Sequence, residues 1–243
     1  MEQNSGKIPQ CAECAIKNKI CSQEEGHGPD FCPTLNLTRV VKESCLEYQR
    51  PEIKEFALYA TIQEGECYAN RGQHHPYVRY PVKTRIQETI EFANKMGFKR
   101  LGIAFCGGLR NEARILSEIL KDQGFEVASV ICMVGRTPKE FLGIKEDQKV
   151  RVGEFESMCS PIAQAKVLNE VKTDFNIIFG LCVGHDSLFM RYSDALCTVL
   201  VTKDRVTGHN PIAALNLCWS YYGRLKKEQF KKGGRIKVMV EED

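Results

Sequence analysis

What most constrains the fold is a change of pattern after Gly97. From that point short apolar runs of strand length alternate with stretches of helical periodicity. Leu101-Gly102-Ile103-Ala104-Phe105 reads as a strand, and Glu112 to Lys121 as a helix with Ala113, Leu116, Ile119 and Leu120 on one side. The spacing then predicts a strand over Val127 to Met133, a short helix over Pro138 to Leu142, and a longer one opened by Pro161-Ile162-Ala163 and ending near Lys172. Asn176-Ile177-Ile178-Phe179 and Leu196 to Val201 follow as strands around a helix from Asp186 to Tyr192, with a closing helix from Pro211 to Tyr221. Strands that are apolar throughout, rather than alternating, are covered on both faces, as in parallel sheets flanked by helices. The expected class is α/β, a Rossmann-like open parallel sheet of at least four strands within residues 98–225.

Three further stretches have other characters. Residues 1–33 are poor in aliphatics and crowded with Cys, Gly, Pro and charges, so they cannot close a core without a cross-link or a metal. They read as an irregular cysteine-rich metal knuckle. Residues 34–97 have helical spacing (Ile53, Phe56, Ala57, Ala60, then Ile86, Ile90, Ala93), with a break at His74-His75-Pro76 and Pro81 placed to start a helix; two or three helices packing on the sheet are expected. Residues 226–243 form a charged tail, basic through Lys226, Lys227, Lys231, Lys232, Arg235 and Lys237 and ended by Glu241, Glu242 and Asp243.

Charge does little to identify a partner. The 34 Lys and Arg against 31 Asp and Glu leave +3, which argues against a dedicated nucleic-acid or membrane-surface binder. The basic tail reads as solvated surface rather than an RNA site. No apolar run is long enough to span a bilayer, and Met1-Glu2-Gln3-Asn4-Ser5-Gly6 has neither part of a signal peptide, so a cytoplasmic protein is expected.

Twelve cysteines are the chemical clue. In a chain of this size with no export signal they are expected to be reduced, which leaves metal, redox chemistry or plain burial. The first four, Cys11, Cys14, Cys21 and Cys32, begin with a Cys-Ala-Glu-Cys pair that can bite one tetrahedral centre, and Pro33 follows the last. Soft thiolates suit a [4Fe-4S] cluster or zinc, and these gaps match neither usual pattern.

A second set shares a place in the fold. Cys106 ends a strand and precedes Gly107-Gly108; Cys132 ends the next; Cys182 ends the third and precedes Val183-Gly184-His185-Asp186; Cys159 precedes Ser160-Pro161 at a helix start. In a parallel sheet the strand-end thiols emerge on one edge, where open α/β sheets bind ligands. Cys106 and Cys159 stand at helix N-termini, where the positive end of the helix dipole is expected to lower a thiol pKa. Gly107, Gly108 and Gly184 let backbone amides approach a cofactor, and His185 and Asp186 offer a general acid or further ligand beside Cys182. Lys203, Arg205 and His209, after the last strand, are candidates to neutralise an anionic substrate or a negatively charged cluster; the same loop also reads as a solvated turn with Asn210 as N-cap. Cys197 and Cys218 are expected in the core, and Cys45 and Cys67 are more at home buried than ligating.

The strings Phe105-Cys106-Gly107-Gly108-Leu109, Cys159-Ser160-Pro161-Ile162-Ala163-Gln164-Ala165, Gly180 to Phe189 and Lys203 to Pro211, with the N-terminal cysteines, resemble the prokaryotic domain of unknown function family 1847. The resemblance runs from about Cys11 to Leu215. It implies a cysteine-rich, metal-holding protein with no assigned reaction, and marks Cys11, Cys14, Cys21, Cys32, Cys106, Cys132, Cys159, Cys182 and His185. Three functions compete. One is a metalloprotein with a structural or electron-transferring N-terminal centre and a second strand-end thiolate site, zinc or [4Fe-4S], doing redox or sulfur chemistry on a small molecule. In that reading Cys106, Cys159 and Cys182 leave one coordination position open unless Cys132 or His185 closes it. The second is a metal-free nucleophile or persulfide carrier at Cys106 or Cys182. The third is a non-catalytic metal-binding module.

Overall fold

A computed structural model describes residues 8–73 and 75–226. The chain divides into two compact units, residues 1–83 and 84–243. In the first, a single 3-10 turn spans Cys11–Glu13, and a bridge of parallel sense pairs Lys19 with His27. Three helices follow: α1 (Pro33–Asn36), α2 (Thr38–Glu47) and α3 (Pro51–Glu66), with proline at the start of α1 and of α3, where its missing N–H has no helical partner to lose. The chain then turns back on itself. Tyr68 pairs with Pro81, and the Val82 N–H donates to the Cys67 carbonyl at 2.8 Å. Pro81 therefore closes an antiparallel bridge instead of starting a helix as its position suggested.

The second unit opens with α4 (Arg85–Lys95), whose start is set by Thr84: its hydroxyl accepts the Gln87 N–H at 3.3 Å. Then come β1 (Arg100–Phe105), α5 (Arg110–Asp122), β2 (Glu126–Ile131), α6 (Pro161–Glu170), β3 (Phe175–Phe179), α7 (His185–Tyr192), β4 (Cys197–Val201) and α8 (Pro211–Asn216). All four strands are parallel, in the order β2-β1-β3-β4. This is the expected α/β class. The central strands are buried along their length: Leu101, Ile103, Ala104 and Ile177 have no exposed surface, because α5 and α6 carry Leu116, Leu120, Ala165 and Leu168 onto the sheet. At the opposite end from the strand-end cysteines, Phe92 of α4, Phe98 and Phe175 pack ring on ring, with Phe98 and Phe175 stacked at 5.5 Å between centroids.

Two expected helices are shorter than their periodicity implied. The stretch after Pro138 is a 3-10 turn, Lys139–Leu142, and α8 stops at Asn216, so Cys218 stands beyond the helix rather than inside it. Only Lys226 of the charged tail falls within the described residues. No helix among the described residues is long and apolar enough to cross a membrane.

Candidate metal centre

The strand order reverses at β1: β2 lies on one side of it and β3 on the other. Such a reversal opens a crevice beyond the carboxyl ends of the two central strands. Phe105 and Phe179 pair as the last residues of those strands, so Cys106 and, three residues past Phe179, Cys182 emerge on either side of the crevice. Phe105 pairs on its other side with Ile131, which brings Cys132 out beside Cys106, and the Cys132 N–H extends the ladder to the Phe105 carbonyl at 2.9 Å.

Cys159 arrives by a different route. The 26 residues between Cys132 and Cys159 fold back as a pinned loop: Pro138 pairs with Ser157, Lys139 N–H donates to the Glu156 carbonyl at 3.0 Å, and Met158 N–H to the Thr137 carbonyl at 2.8 Å. The Lys139 ammonium meets Glu156 at 2.7 Å across the neck, and Lys149 joins Glu140 and Glu146 further out. The neck delivers Ser160, whose N–H donates to the Cys132 carbonyl at 2.6 Å. Nothing in local periodicity marks this closure.

The sulfurs are linked in a line. Cys132 lies between the other two and acts on both Cys106 and Cys159. The neighbouring Cys132 thiol, together with burial, pushes the Cys106 thiol up to about 12, against the Gly108 N–H and the Lys203 ammonium, which favour its thiolate. Cys106 lowers the Cys132 pKa, but Cys159 and burial leave it raised. Cys159 collects the benefit at the end of the line: the bond from Cys132 holds its pKa below the usual thiol value. Cys159 is lowered and Cys106 raised, and in both the largest cause is the neighbouring Cys132 thiol rather than the helix start.

Cys182 stands outside this line. The Arg205 Nη2 donates to its Sγ at 3.2 Å, and that bond raises the Arg205 pKa. Cys159 feels the charges of both Cys182 and Cys106, so the four thiols form one electrostatic group. The glycines divide by role. Gly107 N–H donates to Cys132 Sγ at 3.3 Å and Gly108 N–H to Cys106, while Gly184, at φ +83°, faces open space. His185 is tied by its backbone N–H to the Cys182 carbonyl at 2.9 Å, and Asp186 accepts the Ser187 N–H at 2.8 Å. Among the described residues neither side chain bonds a cysteine sulfur. His209 is likewise turned inward on its own loop, its Nδ1 accepting the Asp204 N–H at 3.1 Å, while Asp204 takes the N–H groups of Val206 and Thr207.

The donor set is soft and uniform, four thiols with two cations and two amide N–H groups around them and no carboxylate on any sulfur, which is the chemistry of zinc or an iron-sulfur centre. Thiols that hydrogen-bond one another are in the proton-bearing form, and a metal binds by displacing those protons. As they stand, no three His, Cys, Asp or Glu side chains among the described residues are drawn up to hold a metal ion.

In the first unit Cys11 and Cys21 are exposed, Cys14 is half-buried and Cys32 is buried. The bridge between Lys19 and His27 folds the segment back, and Gly28 lies so close to Cys32 that a Cβ there would stand 2.9 Å from its sulfur. Cys45 is exposed on α2, whereas Cys67 is buried at the end of α3 and donates to the Gln63 carbonyl at 3.0 Å. Cys197 is half-buried in β4 and donates to the Ala195 carbonyl at 3.4 Å. Cys218 is half-buried rather than in the core.

Residues 32–200 match the family described as Protein of unknown function (DUF1847). The chain belongs to that family. The match begins at Cys32 and includes all four sheet-edge cysteines, leaving Cys11, Cys14, Cys21 and the loop from Lys203 to Pro211 outside it. An uncharacterised protein of the archaeon Methanocaldococcus jannaschii is 52% identical over 136 residues, covering 56% of this chain and 68% of that one. Among solved structures the chain is similar to Dph2 from Pyrococcus horikoshii over 60% of its own length and 33% of that chain, at 19% identity and a TM-score of 0.31. The chain thus spans a third of that structure, and a likeness this slight carries no functional argument.

Proposed function

We propose that this protein holds a metal or iron-sulfur centre on Cys106, Cys132, Cys159 and Cys182 at the carboxyl edge of its sheet, and uses it for redox or sulfur chemistry on a small molecule. The observation that carries the reading is that four thiols from four chain segments stand along the carboxyl edge of one sheet and act on one another, with no carboxylate bonded to any of them among the described residues. Burial alone does not call for this. A thiol buried for packing needs no cation, whereas Lys203 and Arg205 bring two positive charges to this group and, among the described residues, form no ion pair with a carboxylate. Their charge is balanced when the thiols are ionised, as metal ligation makes them.

Four thiolates on an iron-sulfur core or a zinc ion leave a net negative centre, and the group would supply electron transfer or Lewis-acid activation when bound. The chain's own residues do the rest. Cys106, Cys132 and Cys159 provide a linked set of ligands, Gly107 and Gly108 give amide hydrogen bonds to sulfur, and Lys203 and Arg205 offset the charge. Cys182 differs from the other three, since its sulfur accepts a hydrogen bond from Arg205. This supports a site with three constant ligands and a fourth that can yield to substrate. The N-terminal Cys11, Cys14, Cys21 and Cys32 are proposed as a separate structural or electron-transferring centre.

The second reading takes Cys182 as a metal-free nucleophile or persulfide carrier, and the same Arg205 contact, which sets a cation against its sulfur, favours it. Metal and acid-labile sulfide analysis of protein purified without oxygen, with its visible spectrum, separates the two. Bound metal that falls on substituting Cys106, Cys132 or Cys159 by Ser supports the centre. Metal-free protein with rapid iodoacetamide labelling of Cys182 alone supports the nucleophile and ends the first reading. A non-catalytic module predicts stoichiometric metal with no change of oxidation or ligand state when candidate thiols or sulfide are offered.

A further inference from the structure

Three of the four sulfurs hang on three different pieces of backbone, so their spacing is only as exact as the joint between those pieces. Gln164 stands at that joint. It lies on α6 with no exposed surface, and its Nε2 donates to the Val130 carbonyl at 2.7 Å and to the Phe105 carbonyl at 3.2 Å. Phe105 precedes Cys106, Val130 is two residues before Cys132, and α6 opens two residues after Cys159. One amide group thus bonds the ends of β1 and β2 to the helix that carries the third cysteine. Two backbone bonds complete the frame: Cys132 N–H to the Phe105 carbonyl at 2.9 Å, and Ser160 N–H to the Cys132 carbonyl at 2.6 Å.

We infer that Gln164 is the positioning residue of the thiol centre, setting the distances among Cys106, Cys132 and Cys159 without touching their sulfurs. Packing alone does not ask for a glutamine here. Its neighbours Ala165 and Leu168 are equally buried and apolar, and they suffice to seat α6 on the sheet. The glutamine also carries a cost that an apolar residue avoids, because its Oε1 is buried with no hydrogen-bond partner among the described residues. The donor end of the amide is what the position retains, since Val130 lies on the edge strand β2 and its carbonyl faces the helix. The purpose of this frame rests on the proposed metal centre, but the frame itself can be tested in metal-free protein.

The experiment is thiol cross-linking of the full chain, reduced and stripped of metal, with diamide as oxidant and the disulfides mapped by mass spectrometry. The unsubstituted protein is expected to form disulfides among Cys106, Cys132 and Cys159 rapidly. Gln164→Met, which keeps the volume and loses both hydrogen bonds, should form them several-fold more slowly. Leu168→Ala, a packing defect on the same helix, should leave the rate unchanged at a temperature where circular dichroism shows both variants folded. If Gln164→Met does not fold, Gln164→Asn, which withdraws the amide by one methylene, carries the same expectation. Cross-linking as fast in the glutamine variants as in the unsubstituted protein overturns the inference, as does an equal slowing by Leu168→Ala. Metal analysis keeps the two claims apart: no metal on the unsubstituted protein defeats the centre and not the frame, while bound metal with unchanged cross-linking defeats the frame alone.

Discussion

Cys106 and Cys159 are the same residue type at similar places, each leading into a helical segment, yet the structure drives their thiols in opposite directions. The cause is Cys132, which lies between them: its contact, with burial, raises Cys106 and lowers Cys159. In metal-free protein, site-resolved alkylation should show this. Cys159, with its lowered pKa, becomes a thiolate first as pH rises, so its labelling should climb below pH 9. Cys106, raised to about 12, stays protonated across that range and should label slowest. Equal pH profiles at the two positions would remove the hydrogen-bonded line. Arg205 hydrogen-bonds one sulfur, that of Cys182, and acts on Cys106 and Cys159 only through its charge, so Arg205→Gln should speed metal loss to a chelator by a few-fold at most, because its guanidinium is exposed and screened by solvent.

At the scale of elements, the site depends on how closely β1 and β3 approach. Gly102 of β1 sits where a Cβ would stand 1.9 Å from Asn176 Oδ1, and that buried amide is fully engaged: Oδ1 accepts from Thr173 at 2.8 Å and Nδ2 donates to Ser193 at 2.8 Å. Gly102→Ala should therefore cost about 3 kcal/mol in chemical denaturation, whereas Gly143→Ala, at φ +76° with open space around it, should cost about 1 kcal/mol. The strands and helices of this unit were legible because burial on both faces requires continuous apolar runs, as in β3, where all five residues are buried. The helix expected at Pro81 was not, because a proline before a helical pattern also suits a bridge, and the Thr84 cap sets the real start.

At the scale of the molecule, the sheet, the four thiols and both cations fall within residues 84–243, while the N-terminal cysteines belong to the other unit. The second unit expressed alone is expected to unfold cooperatively and to keep the sheet-edge metal, with its content measured against the full chain. Stripping that metal anaerobically should lower the Tm by several degrees, since a ligand that binds only the folded state stabilises it. A fragment that folds but holds no metal, while the full chain does, would move the centre to the first unit. Thiol residues alone do not decide between these outcomes, because twelve cysteines offer more sulfurs than one centre can use.

The amino-acid sequence by itself determined the α/β class, the parallel strands and the appearance of Cys106, Cys132 and Cys182 at strand ends, because apolar periodicity is a local property and each strand end can be read from its own neighbours. Tertiary structure alone decided that β1 lies at the reversal of strand order, that a pinned loop returns Cys159 to Cys132, that Arg205 and Lys203 reach sulfur while His185, Asp186 and His209 do not, and that Gln164 joins two strand ends. Those facts are relations between segments tens of residues apart, fixed by which strand pairs with which and by hydrogen bonds across the gap, and no local pattern records them.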